Sequence, residues 1–137
     1  MQSPKKILTV SHDLELQGAR SLVLERANYS VVQATTADDA LRQFSSVVFD
    51  LVLICHSVPE ASRVEIAASM KARSPHIPVL LLYNSFDRSA ALVDAALMNL
   101  GTPESLLSIV DLLFARAAQA GSSELGHVAQ AKSTESN

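Results

Sequence analysis

Two short apolar segments limit most strongly what this chain can fold into. Residues 51–55 (Leu-Val-Leu-Ile-Cys) and 79–83 (Val-Leu-Leu-Leu-Tyr) are apolar at almost every position and do not alternate with polar residues. A strand with one face in water alternates in polarity, whereas a strand covered on both faces does not. The two segments therefore predict strands of a parallel sheet that lies between two layers of helices.

Weaker strand segments and helical patterns complete an alternating order along the chain. The further strands are predicted at 7–10, 29–34 and 96–99. Helices are predicted at about 13–27, from Thr36, at 61–73, at 87–95 and from Pro103. On the first helix, the apolar residues expected to face inward are Leu14, Leu16, Ala19, Leu22 and Val23. This repeated β-α order requires right-handed crossovers and places helices on both faces of the sheet.

Composition agrees with one domain over residues 1–120. Of the 137 residues, 48% are hydrophobic and 18% are charged, which suits a single well-packed core. The segment 121–137 is rich in small and polar residues, and we expect it to be a disordered tail. No apolar run approaches the length of about 18 residues that a membrane span needs, so we expect a cytoplasmic protein without membrane contact.

Charge and cysteine content exclude several classes of function. The net charge of -3 offers no basic excess for phosphates, so the domain by itself is not expected to bind nucleic acid. One cysteine allows neither an internal disulfide nor a zinc site of four cysteines. No nucleophile with its base and no paired carboxylates follow the predicted strands, so an enzyme is not expected.

Four motifs carry a resemblance to a known family. Residues 50–60 (Asp-Leu-Val-Leu-Ile-Cys-His-Ser-Val-Pro-Glu) are similar to a "DLVLLD" pattern followed shortly by "PG". Segments 6–10, 77–82 and 103–107 are similar to "kILvV", "iPVIvl" and "pEeLl". In this order and spacing, over about residues 5–117, they resemble the receiver domain of two-component response regulators, the CheY-like superfamily. The resemblance implies a doubly wound (βα)5 flavodoxin-like three-layer sandwich with five parallel strands in the order 2-1-3-4-5.

The positions that carry chemistry in that family hold other residues here. The phosphoacceptor aspartate falls on Cys55, and the acidic pair that holds Mg²⁺ falls on Ser11 and His12, with Asp13 next in sequence. The switch-equivalent positions are Tyr83, Ala96 and Asn99. A thiol cannot form an acyl phosphate, and a hydroxyl and an imidazole suit Mg²⁺ poorly. We therefore expect an atypical receiver without phosphorylation, metal, cofactor or catalytic residues, which signals through protein contacts.

The resemblance also implies the kind of partner. A sensor kinase or a downstream signalling protein is expected to bind the face formed by the predicted fourth helix, fifth strand and fifth helix. The same face offers a surface for a homodimer.

Other interpretations of the altered site stay open at this point. Cys55 with His12 nearby suggests a thiol-based redox or small-ligand sensor, whereas a buried Cys55 would only fill the vacated aspartate site. His12, Cys55 and His56 would be three metal ligands, although neighbouring residues at a strand end point apart. Tyr83 is interpreted either as a core ring or as a polar anchor for a partner.

Overall fold

The structure, a computed structural model of the chain, describes residues 4–83, 92–98 and 102–126. Within these ranges the strands are β1 (Lys6–Val10), β2 (Ser30–Ala34), β3 (Leu51–Ile54), β4 (Val79–Tyr83) and β5 (Ala95–Met98). The helices are α1 (Leu14–Arg26), α2 (Ala37–Ser46), α3 (Glu60–Arg73) and α4 (Pro103–Gly126), the last of which was predicted as the fifth helix. The helix predicted at 87–95 falls mainly outside the described residues, and its last position begins β5.

The five strands form one parallel sheet in the order β2-β1-β3-β4-β5. This confirms the predicted fold and strand order. In its register, Val10 of β1, an interior strand, pairs with Ala34 on one side and with Ile54 on the other. The residues that follow β1 and β3 therefore meet at the carboxyl edge of the sheet.

Both faces of the sheet are buried, which explains the lack of alternation in β3 and β4. On one face, α2 and α3 cover a core that includes Leu8, Val10, Val52, Ile54 and Leu81. On the other face, α1 and α4 cover a core that includes Ile7, Leu51, Leu53 and Leu80. Since successive side chains of a strand point to opposite faces, every position of a doubly covered strand must be apolar.

The inward face of α1 differs from the prediction. Its buried residues are Gln17, Ser21 and Leu24, which are 1%, 2% and 0% exposed. Leu14 and Leu22, which the apolar pattern placed inside, are 62% and 48% exposed. Ala19 is exposed as well, so the assignment of Leu14, Ala19 and Leu22 to the core was wrong, and a largely polar stripe faces the sheet instead.

Hydrogen bonds to β1 and β2 compensate for most of the burial of this polar stripe, although Gln17 Oε1 has no hydrogen-bond partner among the described residues. The Nε2 atom of Gln17 donates to the carbonyl oxygens of Thr9 and Ala34 and to the hydroxyl of Thr9, each at 3.1 Å. Gln33 Nε2 on β2 donates to the Ser21 hydroxyl at 2.9 Å. Buried polar groups are tolerated when they are paired in this way. The pairing fixes α1 against the carboxyl half of β1.

The last helix extends beyond the predicted domain boundary. It continues to Gly126, into the segment predicted as a tail, and residues 127–137 lie outside the described residues. Among the described residues, no helix is long and apolar enough to cross a membrane.

Replacing Leu24 by alanine should destabilise the protein far more than replacing Leu22. Leu24→Ala removes a fully buried side chain beneath the sheet, so we expect a loss of about 2–5 kcal/mol in the free energy of unfolding. Leu22→Ala, two residues away on the same helix, should change it by about 0.5 kcal/mol or less. Urea denaturation of both variants measures the difference, and equal losses would contradict the observed orientation of α1.

Candidate functional site

The first part of the site is the short connection between β1 and α1. Ser11 follows β1 directly, is fully buried, and donates its backbone N–H to the carbonyl oxygen of Ala34 at 3.1 Å. Asp13 is the N-cap of α1, and its Oδ1 accepts a hydrogen bond from the backbone N–H of Leu16 at 3.0 Å. Its carboxylate thus satisfies one of the unpaired amides of the helix terminus, which is the ordinary role of aspartate at this position.

A hydroxyl from the loop after β3 closes this connection. Ser57 Oγ accepts hydrogen bonds from the backbone N–H groups of His12 and Asp13 at 2.9 and 3.2 Å. It also lies 3.0 Å from Ser11 Oγ. Ser11 Oγ in turn accepts from the N–H of Asp13 at 3.1 Å and donates to the carbonyl oxygen of Asp13 at 3.2 Å.

One assignment of the hydroxyl protons satisfies every contact in this network. If Ser57 donates to Ser11, and Ser11 donates to the carbonyl oxygen of Asp13, each hydroxyl donates once and accepts twice. The network contains no charged atom. Neutral groups that bond to one another therefore occupy the place to which the family resemblance assigned an acidic pair.

The second part of the site is Cys55 at the end of β3. Its side chain is 1% exposed, and its backbone N–H donates to the carbonyl oxygen of Val10 at 2.9 Å. Arg20 of α1 brings its Nη1 to 3.4 Å from the sulfur. Burial raises the pKa of the Cys55 thiol, and the positive charge of Arg20 offsets this only in part. The thiol is therefore protonated and poorly nucleophilic at neutral pH.

The cation beside the thiol comes from Arg20, whereas the thiol hypothesis assigned that role to His12. The His12 side chain is exposed, and His12 enters the hydrogen-bond network through its backbone N–H. Within the described residues, no three His, Cys, Asp or Glu side chains come together to hold a metal ion. The set of His12, Cys55 and His56 weighed as metal ligands is thus not formed.

Arg63 of α3 anchors the loop that carries Ser57. Its Nη1 donates to the carbonyl oxygens of His56, at 3.2 Å, and Val58. Val58 is fully buried, so the loop is held by packing on one side of Ser57 and by hydrogen bonds on both sides. This anchoring keeps the Ser57 hydroxyl in reach of the amides after β1.

Two of the switch-equivalent positions, Tyr83 and Ala96, lie on the other face of the sheet from Cys55. Tyr83, at the end of β4, is half-buried, and both it and Ala96 of β5 pack against the core covered by α2 and α3. Cys55 belongs to the core covered by α1 and α4. Tyr83 thus packs as a core ring. Asn99 lies outside the described residues.

Sequence reasoning missed two residues that shape the site. Arg20 was not selected, although it lies three residues after Gln17 and three and four residues before Val23 and Leu24, the spacing of one helix face. Ser57 was named only as part of the segment 50–60, close to Cys55, and was given no role. A hydroxyl three residues after β3, a strand that adjoins β1, is the signal that could have indicated a contact between the two loops.

Solved structures similar to this chain are response regulator receiver domains. A CheY-like receiver domain protein from Methanospirillum hungatei JF-1 has a TM-score of 0.80 and 21% identity, over 86% of this chain and 99% of that one. The response regulator TrrA from Thermotoga maritima, solved in complex with Mg²⁺ and BeF, has a TM-score of 0.73 and 23% identity, over 80% and 98%. The signal receiver domain of an HD domain-containing protein from Pseudomonas fluorescens Pf-5 has a TM-score of 0.78 and 18% identity, over 89% and 95%.

No protein-family model matches the chain. No curated protein matches it either. At the identities of these solved structures the likeness establishes the fold: this chain has the receiver-domain fold of two-component response regulators.

Removing the Ser57 hydroxyl should loosen the connection after β1. Ser57→Ala leaves the N–H of His12 without its partner, so we expect a loss of about 0.5–1.5 kcal/mol in unfolding free energy. Hydrogen exchange should also become faster at the amides of His12 and Asp13. Ser46→Ala removes an exposed hydroxyl that bonds within α2 and serves as the control, with no change at those amides. Unchanged exchange in Ser57→Ala would refute the network.

The thiol of Cys55 should react slowly with iodoacetamide in the folded protein. Because burial raises its pKa, the rate should keep rising well above pH 9, the usual pKa of the group. In Arg20→Met the profile should move to still higher pH, since the offsetting charge is gone; urea-unfolded protein gives the reference profile. If the alkylation rate of the folded protein reached its plateau at a lower pH than that of the unfolded chain, this environment would be contradicted.

The raised pKa of Cys55 also affects stability. The contribution of this group to the free energy of unfolding is complete below about pH 9 and is lost at higher pH.

Proposed function

We propose that this protein is a signalling module of the receiver type whose action does not use aspartyl phosphorylation. The observation that carries the proposal is the neutral network of Ser11, Ser57 and the amides of His12 and Asp13. It occupies the place where the family resemblance implies carboxylates around Mg²⁺. We further propose that the protein is not an enzyme and that it works in the cytoplasm through contacts with other proteins.

Electrostatics supports the absence of a magnesium-dependent step. Mg²⁺ binds oxygen ligands in near-octahedral geometry and is reluctant to lose water, so it needs carboxylates to compensate. At an effective dielectric constant of about 20, each close pair of unit charges contributes about 4 kcal/mol, and Ser11 and His12 supply no such charge. The Asp13 carboxylate is engaged at the helix terminus. The guanidinium of Arg20 beside Cys55 adds a positive charge that repels a divalent cation.

The chemistry of Cys55 supports the same proposal. A phosphoacceptor of the receiver type must present a carboxylate oxygen to solvent, whereas Cys55 presents a protonated thiol that is 1% exposed. The same burial argues against the thiol-sensor alternative, because oxidation by small reagents requires an accessible thiolate. We therefore adopt the interaction module rather than the sensor.

Protein partners follow from the fold that the chain shares with response regulators. We propose a sensor kinase or a downstream signalling protein as the partner. The face of β5 and α4, with the segment before β5, is the surface we assign to this contact or to a homodimer. Leu92 and Leu112, at 38% and 48% exposed, are apolar side chains near β5 and on α4 that a partner would cover.

Treatment with a small phosphodonor tests the central claim. The full chain is incubated with phosphoramidate and Mg²⁺, and the intact protein is weighed by mass spectrometry beside a receiver domain that has a phosphoacceptor aspartate. We expect the aspartate-containing receiver to gain one phosphoryl group and this chain to gain none. Cys55→Ala should give the same null result. A stoichiometric adduct on the unmodified chain, whichever residue carries it, would refute the proposal.

A further inference from the structure

The amino-terminal edge of the sheet, opposite the site described above, carries two adjoining hollows. Their volumes are about 340 and 250 Å³, and both are lined by His76, Pro78 and Ala117. The larger has an apolar wall of Phe49, Ile77 and Phe114. It lies at the lower end of the range of about 300–1,000 Å³ that small-molecule sites occupy. We call the two together the amino-edge groove.

The carboxylates in this groove are already paired. Asp50 precedes β3, and its Oδ2 accepts the backbone N–H of Lys6 at 2.7 Å. Asp94 precedes β5, and its Oδ2 accepts the N–H of Val79 at 2.7 Å and lies 2.6 Å from Lys71 Nζ. Asp94 thus has its charge compensated by Lys71, whereas Asp50 accepts a neutral amide and keeps its negative charge in the groove.

The cations in the groove outnumber the carboxylates. Lys5, Lys71 and Arg116 line it together with Asp50 and Asp94, although the chain as a whole has a net charge of -3. Lys71 is paired with Asp94, which leaves two cations, Lys5 and Arg116, against the one carboxylate of Asp50. Lys5 Nζ lies 5.9 Å from the centre of the Phe114 ring, so a cation borders directly on the apolar wall. A positive rim beside an aromatic wall complements a molecule with one anionic group and a flat apolar body.

We propose that the amino-edge groove binds a small organic anion, an aromatic or aliphatic carboxylate or phosphate ester. Its apolar body packs on Phe49 and Phe114, and its anionic group pairs with Lys5 or Arg116. The inference does not depend on the proposed function, because the groove lies at the other end of the strands from Cys55. If the chain were phosphorylated after all, the groove could still bind the anion, and if the groove bound nothing, the proposed function would be unaffected.

Titration of the full ¹⁵N-labelled chain with 2-naphthoate tests the proposal by NMR. We expect the amide signals of Lys5, Asp50, His76 and Ala117 to shift with one dissociation constant of about 1 mM. The neutral analogue 2-naphthamide and inorganic phosphate should each bind at least about fivefold more weakly, since each lacks one half of the ligand. Added NaCl should weaken naphthoate binding.

Charge variants separate this site from unspecific adsorption. Lys5→Gln combined with Arg116→Gln should weaken naphthoate binding at least about fivefold, whereas Arg42→Gln, an exposed residue of α2 outside the groove, should not. All three positions are on the surface, so the variants should fold. Equal affinity for naphthoate and naphthamide, unchanged binding in the double variant, or no shifts at the groove residues would each overturn the inference.

Discussion

The parallel pairing of β1 with β3 is the contact on which the rest of the structure depends. It aligns Val10 with Ile54, and the N–H of Cys55 continues the ladder to the carbonyl oxygen of Val10. Because of this register, Ser11 and Ser57, which are 46 residues apart in sequence, come within hydrogen-bond distance. The pairing is itself stabilised by burial of both faces of the sheet, since strands such as β3 have no polar side that could face water. The geometry of the site is thus a consequence of the same apolar pattern that determines the fold.

At the carboxyl edge, this chain has a neutral network on a scaffold that in the receiver family carries clustered carboxylates. Ser11 is fully buried, so a carboxylate at this position would lose its hydration and would need a cation to compensate. The hydroxyls of Ser11 and Ser57 satisfy each other and the neighbouring amides without one. The polar groups of the network thus satisfy one another without a metal ion, which supports the proposal that the domain signals through interaction surfaces rather than through phosphorylation.

The sheet could be predicted from the sequence because its signal is local, whereas the contacts of the site could not. The continuous apolar segments at 51–55 and 79–83 indicate buried parallel strands by themselves, and the resemblance to the receiver family implied the strand order. The inward face of α1 was misassigned because Gln17 and Ser21 are tolerated inside only through partners on β1 and β2, which no helical pattern reveals. Arg20 reaches Cys55 across 35 residues of sequence, so its role became visible only after the fold had brought the two together.

The two edges of the sheet differ in how they satisfy unpaired backbone amides, and burial explains the difference. At the amino edge, Asp50 and Asp94 accept the N–H groups of the first residues of β1 and β4, and the part-exposed Asp94 also has Lys71 as a counter-ion. At the carboxyl edge, the exposed Asp13 accepts the Leu16 N–H, but the amide of His12, beside the buried Ser11, is satisfied by the uncharged hydroxyl of Ser57. A charged hydrogen-bond acceptor is tolerated only where solvent or a counter-ion compensates its charge. The open amino edge can therefore keep charged side chains such as Lys5 and Arg116, which would be available to the anionic ligand proposed above.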